Sequence, residues 1–206
     1  DTRARSITRN FNGCSVGSAT RTGTAVITWG GTGVNCCIGA VPDTTSTITR
    51  DPNFTLTGRR GGTLTVKKTG SIGQRLTFVS GSGSNKVFNF SNDGINRKIE
   101  ANGSTLFDQT TTVSSPMTIS GADRLNRVIN GGTLRVLNNK TSVSCDYVPT
   151  NVTWASASCN CPMSGSWSGN CSDGKSATLQ ITGCGTASYT EGSETQNLTF
   201  DRCSSN

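Results

Sequence analysis

Residues 61–90 read GGTLTVKKTGSIGQRLTFVSGSGSNKVFNF, and this stretch decides the fold class. In residues 61–67 the apolar positions alternate, with Leu64 and Val66 on one face. Residues 75–79 place Leu76 and Phe78 on one face, and residues 87–90 do the same with Phe88 and Phe90. A period of two belongs to strands, whose successive side chains point to opposite sides. Gly, Ser and Asn clusters bound each run and supply the turns. Short strands at this spacing predict an all-β chain: an antiparallel β-sandwich, jelly-roll or Ig-like.

Working outward, further strands are expected at residues 24–29 (TAVITW), 46–57 (STITRDPNFTLT), 97–101, 104–108, 117–120 and 141–147. Pro52 interrupts the second of these. A proline cannot donate to a ladder, so an edge strand or a bulge is expected there. Only residues 121–128 (GADRLNRV) offer a helical turn, too short to stand alone. The hexapeptide GGTLTV at 61–66 is echoed by GGTLRV at 131–136. A Gly-Gly turn used twice before a strand accounts for the echo without a duplicated fold. Residues 1–22 carry four arginines and few apolar groups, which reads as an N-terminal arm, either solvated or added to a neighbouring subunit.

The C-terminal part has a different character. Six of nine cysteines lie between Cys145 and Cys203: Cys145, Cys159, Cys161, Cys171, Cys184 and Cys203. So short a segment with few apolar residues needs cross-links, each worth roughly 2–4 kcal/mol. The organisation expected is an arm at 1–22, a sandwich at 23–148 and a small disulfide-stapled β module at 149–206. Charge divides similarly. Residues 1–140 carry 17 basic and 7 acidic side chains (+10), and residues 141–206 carry 2 and 5 (−3), which together give the net +7.

Cysteine usage points to an oxidising compartment and thus to a secreted or surface-displayed protein. Cys159 and Cys161 are too close for the usual zinc pair, and the chain has no histidine, so neither a metal nor any other cofactor is expected. Nine is odd. With six cysteines pairing among themselves, Cys14, Cys36 and Cys37 leave one thiol unpaired or joined to another subunit.

The lack of histidine also removes Ser-His-Asp and Cys-His catalysis. Glu191 and Glu194 sit close together, but in a Gly/Ser-rich turn; nothing selects a pair among Asp43, Asp51, Asp93, Glu100, Asp108 and Asp123. The chain is therefore not expected to be an enzyme. Arg59, Arg60, Lys67 and Lys68 flank the first Gly-Gly turn, and Arg124, Arg127, Arg135 and Lys140 the second. They are a candidate basic face, but without the interleaved aromatics that stacking on single strands requires, so no nucleic acid is expected. Trp167 and Trp29 are candidate glycan contacts. No apolar run is long enough for a membrane helix.

These features favour a non-enzymatic extracellular structural or adhesive protein, a filament, fibre or layer subunit forming homo-oligomers or disulfide-linked polymers. A secreted, lectin-like carbohydrate-binding module is the alternative, with a surface glycan as its partner.

Overall fold

A computed structural model describes residues 5–30, 46–123, 125–200 and 203. The described residues are all-β, with extensive antiparallel pairing. Its strands are β1 (Arg5–Val16), β2 (Ala19–Gly30), β3 (Thr47–Thr57), β4 (Thr63–Lys68), β5 (Gln74–Ser80), β6 (Val87–Ser91), β7 (Ile95–Ala101) and β8 (Ser104–Ser115). They continue as β9 (Met117–Ser120), β10 (Val128–Asn130), β11 (Thr133–Asn138), β12 (Ser144–Thr153), β13 (Ser164–Cys171), β14 (Ser176–Gly183), β15 (Thr186–Glu191) and β16 (Glu194–Thr199). These strands belong to one extensive hydrogen-bonded sheet, not to the two separate sheets of the expected sandwich. Alternation in sequence identifies strands and faces, but not how many sheets share them, which explains the difference.

Two compact units divide the chain, and neither is a continuous segment. The first takes residues 1–78, 91–112 and 137–142; the second takes 79–90, 113–136 and 143–206. The expected boundary at 148/149 falls inside β12. Residues 5–16, expected in an arm, form a strand paired along its length with β2.

In the first unit the ladder runs β1–β2–β3–β4–β7–β8. β3 is the hub. One side of it pairs with β2 from Thr47 to Thr57, with Pro52 opposite Ala25. The other side pairs Thr47–Arg50 with β5 and Asn53–Thr57 with β4. Pro52 therefore lies on neither an edge nor a bulge. It sits where β3 changes partners, at a gap where that side of the ladder needs no donor. Lys68 and Asp51 close the gap with an ion pair of 2.5 Å. Asp93 ties down the β4–β5 turn, accepting hydrogen bonds from the Ser71 amide (2.9 Å), the Ser71 hydroxyl (2.6 Å) and the Ile72 amide (2.7 Å). Ile48 and Ile95 are the most deeply buried side chains of this unit.

In the second unit the order is β6–β9–β10–β12–β13–β14–β15–β16. Phe88 stands opposite Ile119 and Phe90 opposite Met117. A cross-strand row, Pro149–Trp167–Leu179–Tyr189, gives β12 to β15 their inward face. The opposite face carries Ser168, Thr178 and Thr190. Residues 121–123 and 125–127 form bends and a turn, not the helical turn that the sequence offers at 121–128. Gly121 has φ +89°, and Asn126 Nδ2 donates to the Ser84 carbonyl at 2.7 Å. A 3-10 turn occurs instead at Gly83–Asn85.

Three disulfides staple this unit: Cys145–Cys171, Cys159–Cys184 and Cys161–Cys203. The first joins residues directly opposite on β12 and β13. The other two fasten the loop after β12 to the β14–β15 turn and to Cys203. They are consistent with folding in an oxidising environment.

Candidate functional site

The most exposed secondary structure of the first unit is β1. Among the described residues it has one partner strand, β2. Nine of residues 6–16 are exposed. The pairing is regular from Arg5 to Asn12, then shifts by one so that Asn12 faces Thr22 and Cys14 faces Arg21. Gly13, at φ +80°, is the extra residue of this bulge. The shift turns Cys14 onto the face that carries Phe11 and Arg21. Cys14 is exposed and, among the described cysteines, is the one with a free thiol.

A local device holds β1 on its neighbour. Gly23 of β2 stands between Phe11 on β1 and Phe54 on β3. With no side chain between them, the rings approach to 5.8 Å in an edge-to-face arrangement. Two positions away, the Arg21 guanidinium lies 4.8 Å from each ring centroid. Phe11 is thereby buried, the one buried residue among residues 6–16, which are otherwise exposed but for the half-buried Val16.

The second unit ends in another exposed strand. Among the described residues β16 pairs with β15 alone, and five of its six residues are exposed. The β15–β16 turn borders a polar cleft of about 290 Å³, lined by Lys175, Tyr189, Glu191, Ser193, Glu194 and Gln196 with Gly192. Glu191 and Glu194 are direct cross-strand partners. Glu191 is fully engaged. Lys175 Nζ donates to Oε1 at 2.9 Å and the Tyr189 hydroxyl donates to Oε2 at 3.1 Å. These two hydrogen bonds hold its carboxyl below the usual range. Burial first, then Tyr147 and Glu191, push the Tyr189 hydroxyl up. The Glu194 side chain makes no hydrogen bond or ion pair among the described residues, though its charge helps hold the Lys175 ammonium protonated.

The fold distributes the remaining candidates. Trp29 is 9% exposed, so its ring is not open to a sugar. Trp167 is half-buried in the row between Pro149 and Leu179. Arg59 and Arg60 are exposed on the turn after β3, and Lys67 is exposed on β4, while Lys68 is held by Asp51. Lys140 donates to the Thr105 carbonyl at 2.9 Å. Arg127 and Arg135 lie in the second unit. Arg135 is neutralised by Asp146 through Nε (2.8 Å) and Nη2 (2.7 Å). Arg124, Cys36, Cys37 and Asp43 lie outside the described residues.

Most of the carboxylates weighed from sequence serve the framework. Asp93 secures its turn and Glu100 pairs with Lys98 at 2.7 Å. Asp108 accepts from Asn139 and Asn96, at 2.6 and 2.8 Å, and these bonds lower its pKa. Asp123 accepts from the Leu125 amide at 2.8 Å. No helix among the described residues is long and apolar enough to cross a membrane. No family model, curated protein or solved structure matches the chain.

Sequence reasoning missed the β1 strand and the Phe11–Arg21–Phe54 cluster. The signal is present but faint: Ile7 and Phe11 are four residues apart among polar neighbours, and β1 buries too little to show alternation. The open β16 edge and the unengaged Glu194 were also hidden, because pairing across a hairpin is a property of the ladder.

Proposed function

We propose that this chain is a non-enzymatic structural or adhesive protein of the cell exterior, one subunit of a surface filament, fibre or layer. The supporting observation is β1, a strand of twelve residues with one partner strand among the described residues and an exposed free thiol. A row of unpaired backbone donors and acceptors is a template for another chain, and monomeric proteins ordinarily shorten, cover or interrupt such an edge. Here the bulge comes late, at Gly13, and leaves Arg5–Asn12 regular. Cys14 beside it supplies a thiol for a covalent link between subunits. The three disulfides in one unit, which fit an oxidising environment, support the secreted setting. The glycan-binding alternative has less to stand on, because Trp29 is buried and Trp167 is half-covered.

Non-reducing electrophoresis with negative-stain electron microscopy tests the reading. Multimer ladders that collapse when Cys14→Ser is introduced, or fibres that persist without the thiol, support it. A monomer by both methods, with tryptophan fluorescence that shifts on adding a polysaccharide, replaces it with the binding module.

A further inference from the structure

We infer that copies of this chain join head to tail, the β16 edge of one copy pairing with the β1 edge of the next. The inference rests on the assembly reading above and adds which edges meet and which charges select them. Both strands are exposed, and each has a single partner strand among the described residues. Their hairpins carry opposite charge. Residues 5–30 hold Arg5, Arg9 and Arg21 with no acidic residue, whereas residues 186–199 hold Glu191 and Glu194 with no basic one. Pairing β1 with β1 gathers arginines only, and pairing β16 with β16 gathers glutamates only. Like charges across a ladder destabilise it, and opposite charges support it.

One antiparallel register satisfies the charges. With Arg9 opposite Glu194, Thr8 meets Thr195, Ile7 meets Gln196, Ser6 meets Asn197 and Arg5 meets Leu198. This overlap uses the regular part of β1 and leaves the Gly13 bulge outside it. It also joins two side chains that make no hydrogen bond or ion pair among the described residues, Glu194 having only a longer-range attraction to Lys175. Arg9 is exposed. Glu194 lines the polar cleft, with Ser193 and Gln196 beside it to share a guanidinium's donors. Glu191 does not compete, since Lys175 and Tyr189 occupy both of its oxygens. An interface between two different patches of one chain does not close on itself unless the rotation is favourable, so it propagates as a ring or an open filament.

Sedimentation velocity at low salt on the full chain tests the joint, using Arg9→Glu and Glu194→Arg. Each variant alone should lose assembly at least tenfold. An equimolar mixture should recover it, because each variant's altered edge then meets a complementary one. Circular dichroism should show both variants folded, as the two side chains are exposed. If the unaltered chain assembles and both variants assemble equally well, the head-to-tail joint is wrong while the assembly reading stands. If the unaltered chain stays monomeric, both fall.

Discussion

Gly23 shows how one missing side chain organises its surroundings. Its φ is +106°, and a Cβ there would lie 2.5 Å from the Asn53 carbonyl oxygen and 2.8 Å from the Phe54 Cα. Gly23→Ala combines backbone strain with backbone overlap and should cost about 2–4 kcal/mol. Arg21→Ala should cost about 1–2 kcal/mol, because it removes a cation from two ring faces. Urea unfolding monitored by circular dichroism checks both, and exchange protection across β1 should fall in parallel. Asp93 makes a pH-dependent contribution. Burial opposes its charge, but the Ser71 hydroxyl and the Ile72 and Ser71 amides outweigh this and lower its pKa. A carboxyl with a lowered native pKa stabilises fully above its unfolded value of about 3.9, and the contribution is lost as pH falls through the native value. Asp93→Asn should therefore destabilise at pH 6 and matter much less at pH 2, read as urea midpoints at the two pH values.

Strands that bury one face were legible as elements; strands defined by their partners were not. β4, β5 and β6 announce themselves through Leu64, Val66, Leu76, Phe78, Phe88 and Phe90. β8 extends well past the expected residues 104–108 to Ser115, because the run QTTTVSS holds a strand through β-branched threonines without alternating apolar residues. β12 continues beyond Tyr147 through Pro149, whose carbonyl accepts from the Gly131 amide at 3.1 Å. The two Gly-Gly pairs also diverge. Gly131 and Gly132 both have positive φ, whereas in the first pair only Gly61 does. The disulfides carry the element-scale prediction. Cys161–Cys203 closes the longest separation, 42 residues, and fastens the chain segment beyond β16. The Cys161→Ser/Cys203→Ser double variant should lose about 2–5 kcal/mol, seen as a lowered Tm. If the β14–β16 hairpins depend on this staple, hydrogen exchange there should rise more than in β3 and β4.

Across the whole molecule, the charge division read from sequence becomes a question of assembly. A basic β1–β2 hairpin and an acidic β15–β16 hairpin each end in an exposed strand. The charge split was visible in the sequence; that β1 is a strand was not, because it was read as an arm, and that β16 is an open edge was not, because an edge is a property of the ladder. Association through exposed opposite charges weakens with salt, since the Debye length falls from about 10 Å at 0.1 M to about 3 Å at 1 M. In the proposed assembly the exposed Cys14 thiol would add a covalent route that salt does not touch but reductant does. The claim that this chain is an assembling subunit is tested most directly by sedimentation velocity of the intact, unaltered chain over a range of concentrations, at low salt with reductant present. The account predicts a series of species beyond the dimer that grows with concentration and shrinks as salt is added. A single monomeric boundary at every concentration and salt would contradict it.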